Sequence, residues 1–378
     1  MMLSDSLAGA FSLSIIDFVL SLVFITAIGG ILYLFPYINK LGEVKEENNT
    51  STIKFSIEAP NLFEYAPEVF QKVLAASYAG TTQEMATKTM NEMAKEIGQK
   101  TNGRVEIKVY PANQLGNYSL VMEEMIRGTI DMSLMSIASE FDPRLELVYI
   151  NGYVSGYDDA KKVFVPGAWL PTKLNELSSA LGVRLIGSYI EGMIGIGSTK
   201  PVKDPLNPKV DKGVLTRVPN MDVYSLAAKA MGYRTITIPW SDVYQSMQTG
   251  VCDAVDGMAT PAAYTILGDV IKHWYATNYS MEYLPFMISE KSWKKLSPAD
   301  QKVFMEVAKK FTVNSINTAK AEDNKYMDLM KNKGIKVYKY SEAELKPIKA
   351  ACITTWEELG KRGMTPELMS EFKKHLGK

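Results

Sequence analysis

The chain has 378 residues, and its 42 Lys and Arg balance 42 Asp and Glu; this is long enough for two domains with sizeable cores. With no basic excess and no basic block, nothing points to a nucleic-acid partner. Two histidines, His273 and His375, and two distant cysteines, Cys252 and Cys352, supply a metal site or a catalytic triad poorly, so no cofactor is expected; the cysteines read as free buried thiols, with a disulfide open in an oxidising compartment.

Phe18 to Tyr37 is an uncharged run of twenty residues, which as a helix spans roughly 30 Å of hydrocarbon. A cleavable signal peptide has a basic leader, whereas here Asp5 and Asp17 precede the run without Lys or Arg. An uncleaved membrane anchor within residues 1–40 is therefore favoured, with cleavage near Ala27–Gly30 as the alternative. Lys40 and Lys45 follow the run and, by charge bias alone, would leave the main domain in the cytoplasm. Residues 41–70 read as a linker.

The folded part begins with a strand at Val73–Ser77 and a turn at Tyr78–Gly80. A helix follows, from capping-box spacing at Thr81 and Glu84 to about Thr101, along a stripe of Met85, Met90, Met93 and Ile97. Val105–Tyr110 alternates as a strand, Ser119–Arg127 reads as a helix closed by Gly128, and Ile130–Met135 reads as a strand. Strand, helix, strand, helix, strand predicts a mostly parallel sheet. The pattern recurs later: a buried strand at Val183–Gly187, a Gly-rich apolar stretch at Ile190–Gly197, then Leu215–Val218, a helix, Arg234–Ile238, a helix starting at Ser241–Asp242 and a strand at Val251–Val255. Two such α/β units predict two lobes with a ligand cleft beyond the strand ends. Within Leu215–Met258, Arg217 at a strand end, Trp240 at a helix start and Asp256 after the next strand are placed to converge on a small anion. On the residues alone, Arg217 equally suits a strand-end salt bridge, Trp240 core packing, and Asp256 an anchor for a backbone N–H or a counter-charge to Arg217.

Ser297, Pro298 and Asp300 open a helix with no Gly or Pro until Gly334. Its roughly 50 Å exceeds what one lobe needs, so it is expected to bridge both. A strand at Ile335–Tyr340, a capping box at Ser341 and Glu344 before a helix to Gly360, and a last helix from Thr365-Pro366-Glu367 complete the chain.

Four stretches resemble the solute-binding proteins of tripartite ATP-independent periplasmic (TRAP) transporters, the DctP-like family: Thr101–Ile107 with Tyr110-Pro111 and Gln114-Leu115-Gly116; Arg127–Met132; Arg217-Val218-Pro219 with Pro239–Tyr244 and Gln248–Asp253; and Lys291–Gln301. The third is the most specific, agreeing in residue type and spacing over some forty residues. The resemblance implies a two-lobed, periplasmic-binding-protein-like α/β fold, with lobe I at 71–192 and 285–322 and lobe II at 193–284 and 323–378. It implies a receptor and not an enzyme, in keeping with the absence of a Ser-His-Asp order, phosphate loop or dinucleotide fingerprint. The receptor would capture a small organic acid outside the cytoplasmic membrane and deliver it to the membrane subunits of the transporter; a membrane-anchored sensor is the alternative.

By the same resemblance Arg217 holds the ligand carboxylate through two parallel N–H donors. Trp240 forms a wall, and Tyr78, Tyr118 and Ser136 fall at further contact positions, as do Asp256 and Gly257. The sequence departs from the family where a second arginine is usual, since Ile194 stands there, and where Gly257 replaces a ligand-contacting asparagine. A monocarboxylate with an apolar or aromatic body is the ligand this predicts.

Overall fold

The structure, a computed structural model, describes residues 85–154 and 156–376 and, before them, the strand at 72–78; of residues 72–78 and Met85 it describes the backbone only. The expected anchor and linker at 1–70 lie outside the described residues. Among those described, no helix is long and apolar enough to cross a membrane.

The first α/β unit follows the sequence pattern. Strand β1 (Lys72–Tyr78), helix α1 (Met85–Lys100), strand β2 (Val105–Tyr110), helix α2 (Tyr118–Arg127) and strand β3 (Met132–Leu134) alternate, and β1 lies between β2 and β3, parallel to both. Asn117 caps α2 by accepting from Leu120 N, and Gly128 closes it in the left-handed conformation. A 3-10 turn (Pro143–Tyr149) and helices α3 (Tyr157–Val163) and α4 (Trp169–Ala180) then lead into the longest strand, β4 (Val183–Ser198). The second unit comprises β5 (Leu215–Val218), α5 (Asp222–Ala230), β6 (Arg234–Thr237), α6 (Val243–Thr249), β7 (Ala254–Ala259), α7 (Thr260–Leu267) and β8 (His273–Ala276). Strand β9 (Met281–Ser289) precedes the long helix α8 (Pro298–Asn332), after which come β10 (Lys336–Lys339), α9 (Glu342–Ile353) and α10 (Pro366–Leu376).

Three expectations change. The buried strand and the Gly-rich stretch after it form the single strand β4, because glycines let the chain stay extended between close neighbours. A Cβ on Gly195 would lie 2.4 Å from the Trp274 ring. The strand expected at Val251–Val255 starts later, at Ala254, since Gly250 ends α6 in a left-handed turn. The parallel units are also joined by antiparallel strands: β4 pairs antiparallel with β9 along its first part and with β7 and β8 along its last. Strands β4 and β9 thus cross from one unit to the other.

Helix α8 spans the crossing. Ser297 caps it, accepting from Asp300 N at 3.1 Å. Its Phe304 and Phe311 pack into the core that holds Met90 and Met93, and its Met327 and Met330 into the core that holds Trp274 and Met247. Between these ends it stitches β4. The register of β4 against β9 slips at Leu185/Gly187 and at Ile190/Gly192, and such bulges release backbone N–H groups that need acceptors. Thr312 accepts from Ser188 N at 2.8 Å, Ser315 from Ile190 N at 3.0 Å, and Asp323 from Met193 N at 2.8 Å. The Ser341–Glu344 capping box at the start of α9 is present in both directions.

Candidate functional site

A cavity opens where the two units face each other. Tyr118, Ser136 and Tyr149 line it from the first unit, and Arg217, Trp240 and Gly257 from the second; Glu191 of β4 and Glu282 of β9 line it from the crossing.

Arg217 occupies the middle strand of its unit, and this explains how it is held. Strand β5 lies between β6 and β7, with Arg217 level with Ile236 on one side and Val255 on the other. Just beyond those levels two backbone carbonyls come into reach. Arg217 Nε donates to Ile238 O at 2.9 Å and Nη1 to Asp256 O at 3.2 Å. Only two of the five guanidinium N–H donors are used this way. The side chain is 2 % exposed, and burial brings its pKa down to about 10, which leaves it cationic at neutral pH. Trp240, half-buried in the turn after β6, places its ring 5.7 Å from the guanidinium carbon, a cation–π distance.

The other expected residues divide. Tyr118 begins α2, and burial followed by the Glu140 charge raises its phenol pKa, so it keeps its proton as a donor. Ser136 follows β3 and donates to Glu282 at 3.5 Å. Gly257 contributes backbone alone: its φ is +77° and a Cβ would lie 2.7 Å from Pro219, so an asparagine there would collide with that ring. Asp256 is fully buried and does not line the cavity. Its carboxylate accepts from Gly257 N at 2.6 Å and from the Tyr279 hydroxyl, while its carbonyl supports Arg217. It anchors the site from behind, and burial lifts its pKa to about 6. Ile194, at the position of the missing arginine, is also fully buried in the core, paired with Ala259 and away from the cavity. The side chain of Tyr78 lies outside the described residues.

Among the cavity groups that sequence reasoning missed are Glu191, Glu282, Tyr149 and Tyr224. Glu282 is 6 % exposed and Glu191 4 %. Burial pushes Glu282 up to about 8, although the Tyr224 and Ser136 hydroxyls and the Arg217 charge pull the other way. A signal was available: Glu282 is the single charged residue of the apolar run Trp274–Ser289, and Glu191 that of Leu185–Ser198. An ionisable residue inside a strand that reads as buried is costly unless it is used.

The sequence profile of the family described as bacterial extracellular solute-binding protein, family 7, matches residues 76–362. The sialic acid-binding periplasmic protein SiaP of Vibrio cholerae is 24% identical over 286 residues, 74% of this chain and 84% of that protein. The C4-dicarboxylate-binding periplasmic protein DctP of Rhodobacter capsulatus is 26% identical over 276 residues, 70% of this chain and 77% of the other. A crystal structure of a TRAP periplasmic solute-binding protein from Haemophilus influenzae with bound L-gulonate superposes with a TM-score of 0.72 at 21% identity, covering 81% of this chain and 99% of that one. With its profile match running through both α/β units, the chain belongs to family 7 of the bacterial extracellular solute-binding proteins.

Proposed function

We propose that this receptor captures a small organic acid outside the cytoplasmic membrane and delivers it to the membrane permease subunits of a TRAP transporter. Members of the family are solute receptors, not enzymes. The observation that carries the ligand class is Arg217: a buried, cationic guanidinium at the cavity wall, with two donors fixed on backbone carbonyls and three others with no hydrogen bond among the described residues. A planar fork of that kind matches a carboxylate. Tyr118, Ser136, Trp240 and the backbone at Gly257 complete the contact set we assign to the ligand, and Asp256 holds Arg217 in place.

Closure supplies the mechanism. A ligand that touches groups of both units stabilises the closed arrangement by the contacts the open one lacks, and only that difference shifts the equilibrium. Strands β4 and β9 and helix α8, which run through both units, are the parts that flex. The run Phe18–Tyr37 would tether the receptor to the membrane; its support is the sequence alone.

Calorimetry with the refolded, ligand-stripped protein and a panel of small carboxylates tests the reading. Truncating one side of a buried charge pair costs about 2–5 kcal/mol, so Arg217→Ala is expected to weaken the best carboxylate about 30-fold or more. Unchanged affinity in a folded Arg217→Ala protein removes Arg217 from the site, and Arg217→Lys serves as the control that keeps the charge.

A further inference from the structure

The cavity wall carries acid as well as base. Glu282 faces the same space as Arg217, and its hydrogen-bond partners among the described residues stand far off: Ser136 Oγ at 3.5 Å from Oε1 and Tyr224 Oη at 3.5 Å from Oε2. A carboxylate has about four acceptor positions, and two contacts of that length leave it underfilled. Glu191 of β4, beside Gly192, which pairs with Glu282, adds a second carboxyl to the same wall. A plain carboxylate ligand seated on Arg217 brings Glu282 no positive charge of its own. A ligand whose carboxylate is followed at short range by a positive nitrogen would satisfy both sides. The Tyr149 and Tyr224 rings, 6.2 Å apart and tilted by 37°, line the same cavity, and the Tyr224 hydroxyl reaches Glu282.

We infer that the ligand is a small ammonium- or quaternary-ammonium-bearing monocarboxylate, its carboxylate on Arg217 and its cationic nitrogen on Glu282, with Glu191 and the Tyr149 and Tyr224 rings around it. This rests on the carboxylate reading above and adds the second charge. A proton balance follows. Arg217 (from β5), Glu191 (from β4), Tyr149 (from the 3-10 turn), Tyr224 (from α5) and Ser136 share the cavity wall with Glu282, and Asp256 (from β7) acts on it by charge from behind. Burial keeps Glu282 largely protonated below about pH 8 in the empty receptor. An arriving cation favours the carboxylate, so the Glu282 proton leaves to solvent on binding.

The test is calorimetry on the refolded protein with probes matched in shape: 4-aminobutyrate against pentanoate and 4-hydroxybutyrate, and glycine betaine against 3,3-dimethylbutyrate. In at least one set the nitrogen-bearing probe is expected to bind about ten-fold tighter or better. It should release protons, read from the heat in buffers of different ionisation enthalpy, and should tighten between about pH 6 and about pH 8. The near-isosteric Glu282→Gln is expected to bring the ratio within about two-fold and to abolish proton release; Glu282→Asp, which keeps the charge, should retain part of the preference. Equal or tighter binding of the nitrogen-free or hydroxy acids overturns the inference and leaves the carboxylate reading standing, as does an unchanged ratio in Glu282→Gln. Binding of every probe unaffected by Arg217→Ala overturns the carboxylate reading itself. No binding of any probe at millimolar concentration overturns the ligand class.

Discussion

Around Arg217 the chain buries one cation, and at the crossing of β4, β9 and α8 it buries three acids, Glu191, Glu282 and Asp323, all at most 6 % exposed. The cation sits on backbone: two carbonyls accept from it and Asp256 lies behind. Two of the acids, Asp323 and Glu282, receive mainly hydroxyls and a bulge N–H. Asp323 takes the Tyr157 hydroxyl and Met193 N, and Glu282 takes the Tyr224 and Ser136 hydroxyls at long range. Burial lowers the Arg217 pKa as well, but only to about 10, so the guanidinium stays charged at neutral pH. The hydroxyls offset burial only in part, so Asp323 rises to about 7 and Glu282 to about 8. One region holds a permanent positive charge, and the other holds Glu282 and Asp323, whose charges come and go with protons, where β4 and β9 cross between the units.

The largest expected effect sharpens that contrast. Burial raises the Asp323 pKa from 3.8 to about 7. The unfolded chain therefore loses this proton at lower pH than the folded one. The contribution to stability is complete below about pH 4 and is lost as pH rises towards 7. Asp323→Asn carries no such proton, so its stability relative to wild type should improve with pH, by on the order of 3 kcal/mol between about pH 4 and about pH 7.5. Urea unfolding of both proteins across that range measures it. Parallel curves would mean that Asp323 ionises without penalty and that the two regions bury charge alike.

Much of the Arg217 region was legible. A short strand stopped by Pro219, a helix, a second strand and Pro239-Trp240 lie in one continuous stretch, and strand adjacency brings Arg217 between its carbonyl partners. The crossing was not legible. Glu191 and Glu282 meet through β4–β9 pairing across some ninety residues, and Asp323 comes from a third element. Each lies in an apolar or helical pattern that reads correctly as core, and only the fold shows which core positions face a cavity. The split of β4 into two pieces had the same origin. Its glycines read as breaks, whereas they are sites where Trp274, Asp323 and Ala308 press on the strand.

Gly195→Ala tests that last point and carries the next largest effect. The new Cβ would lie 2.4 Å from the Trp274 ring and 2.7 Å from Tyr275 O. Trp274 is fully buried and the carbonyl belongs to a paired strand, so neither yields easily. Overpacking of this kind costs about 1–3 kcal/mol. Chemical denaturation should show that loss with ligand contacts untouched, since Gly195 does not line the cavity. A neutral substitution would show that the crossing is looser than its contacts imply.

Trp240→Phe has the smallest expected effect and returns to Arg217. The indole lies 5.7 Å from the guanidinium carbon and is only half-buried. The phenyl ring keeps a wall but offers a weaker face, and exposed or partly exposed cation–π pairs are worth about 0.5–1 kcal/mol. Stability should therefore hardly move, while affinity for the carboxylate ligand weakens about two- to five-fold. The two readouts separate the roles: a ring that only packs the core shifts the unfolding midpoint and leaves affinity alone, whereas a ring that orients Arg217 shifts affinity alone. Because Arg217 already rests on two carbonyls, the loss stays small. A drop beyond about thirty-fold would mean that the ring, and not the backbone, is what holds the cation in place.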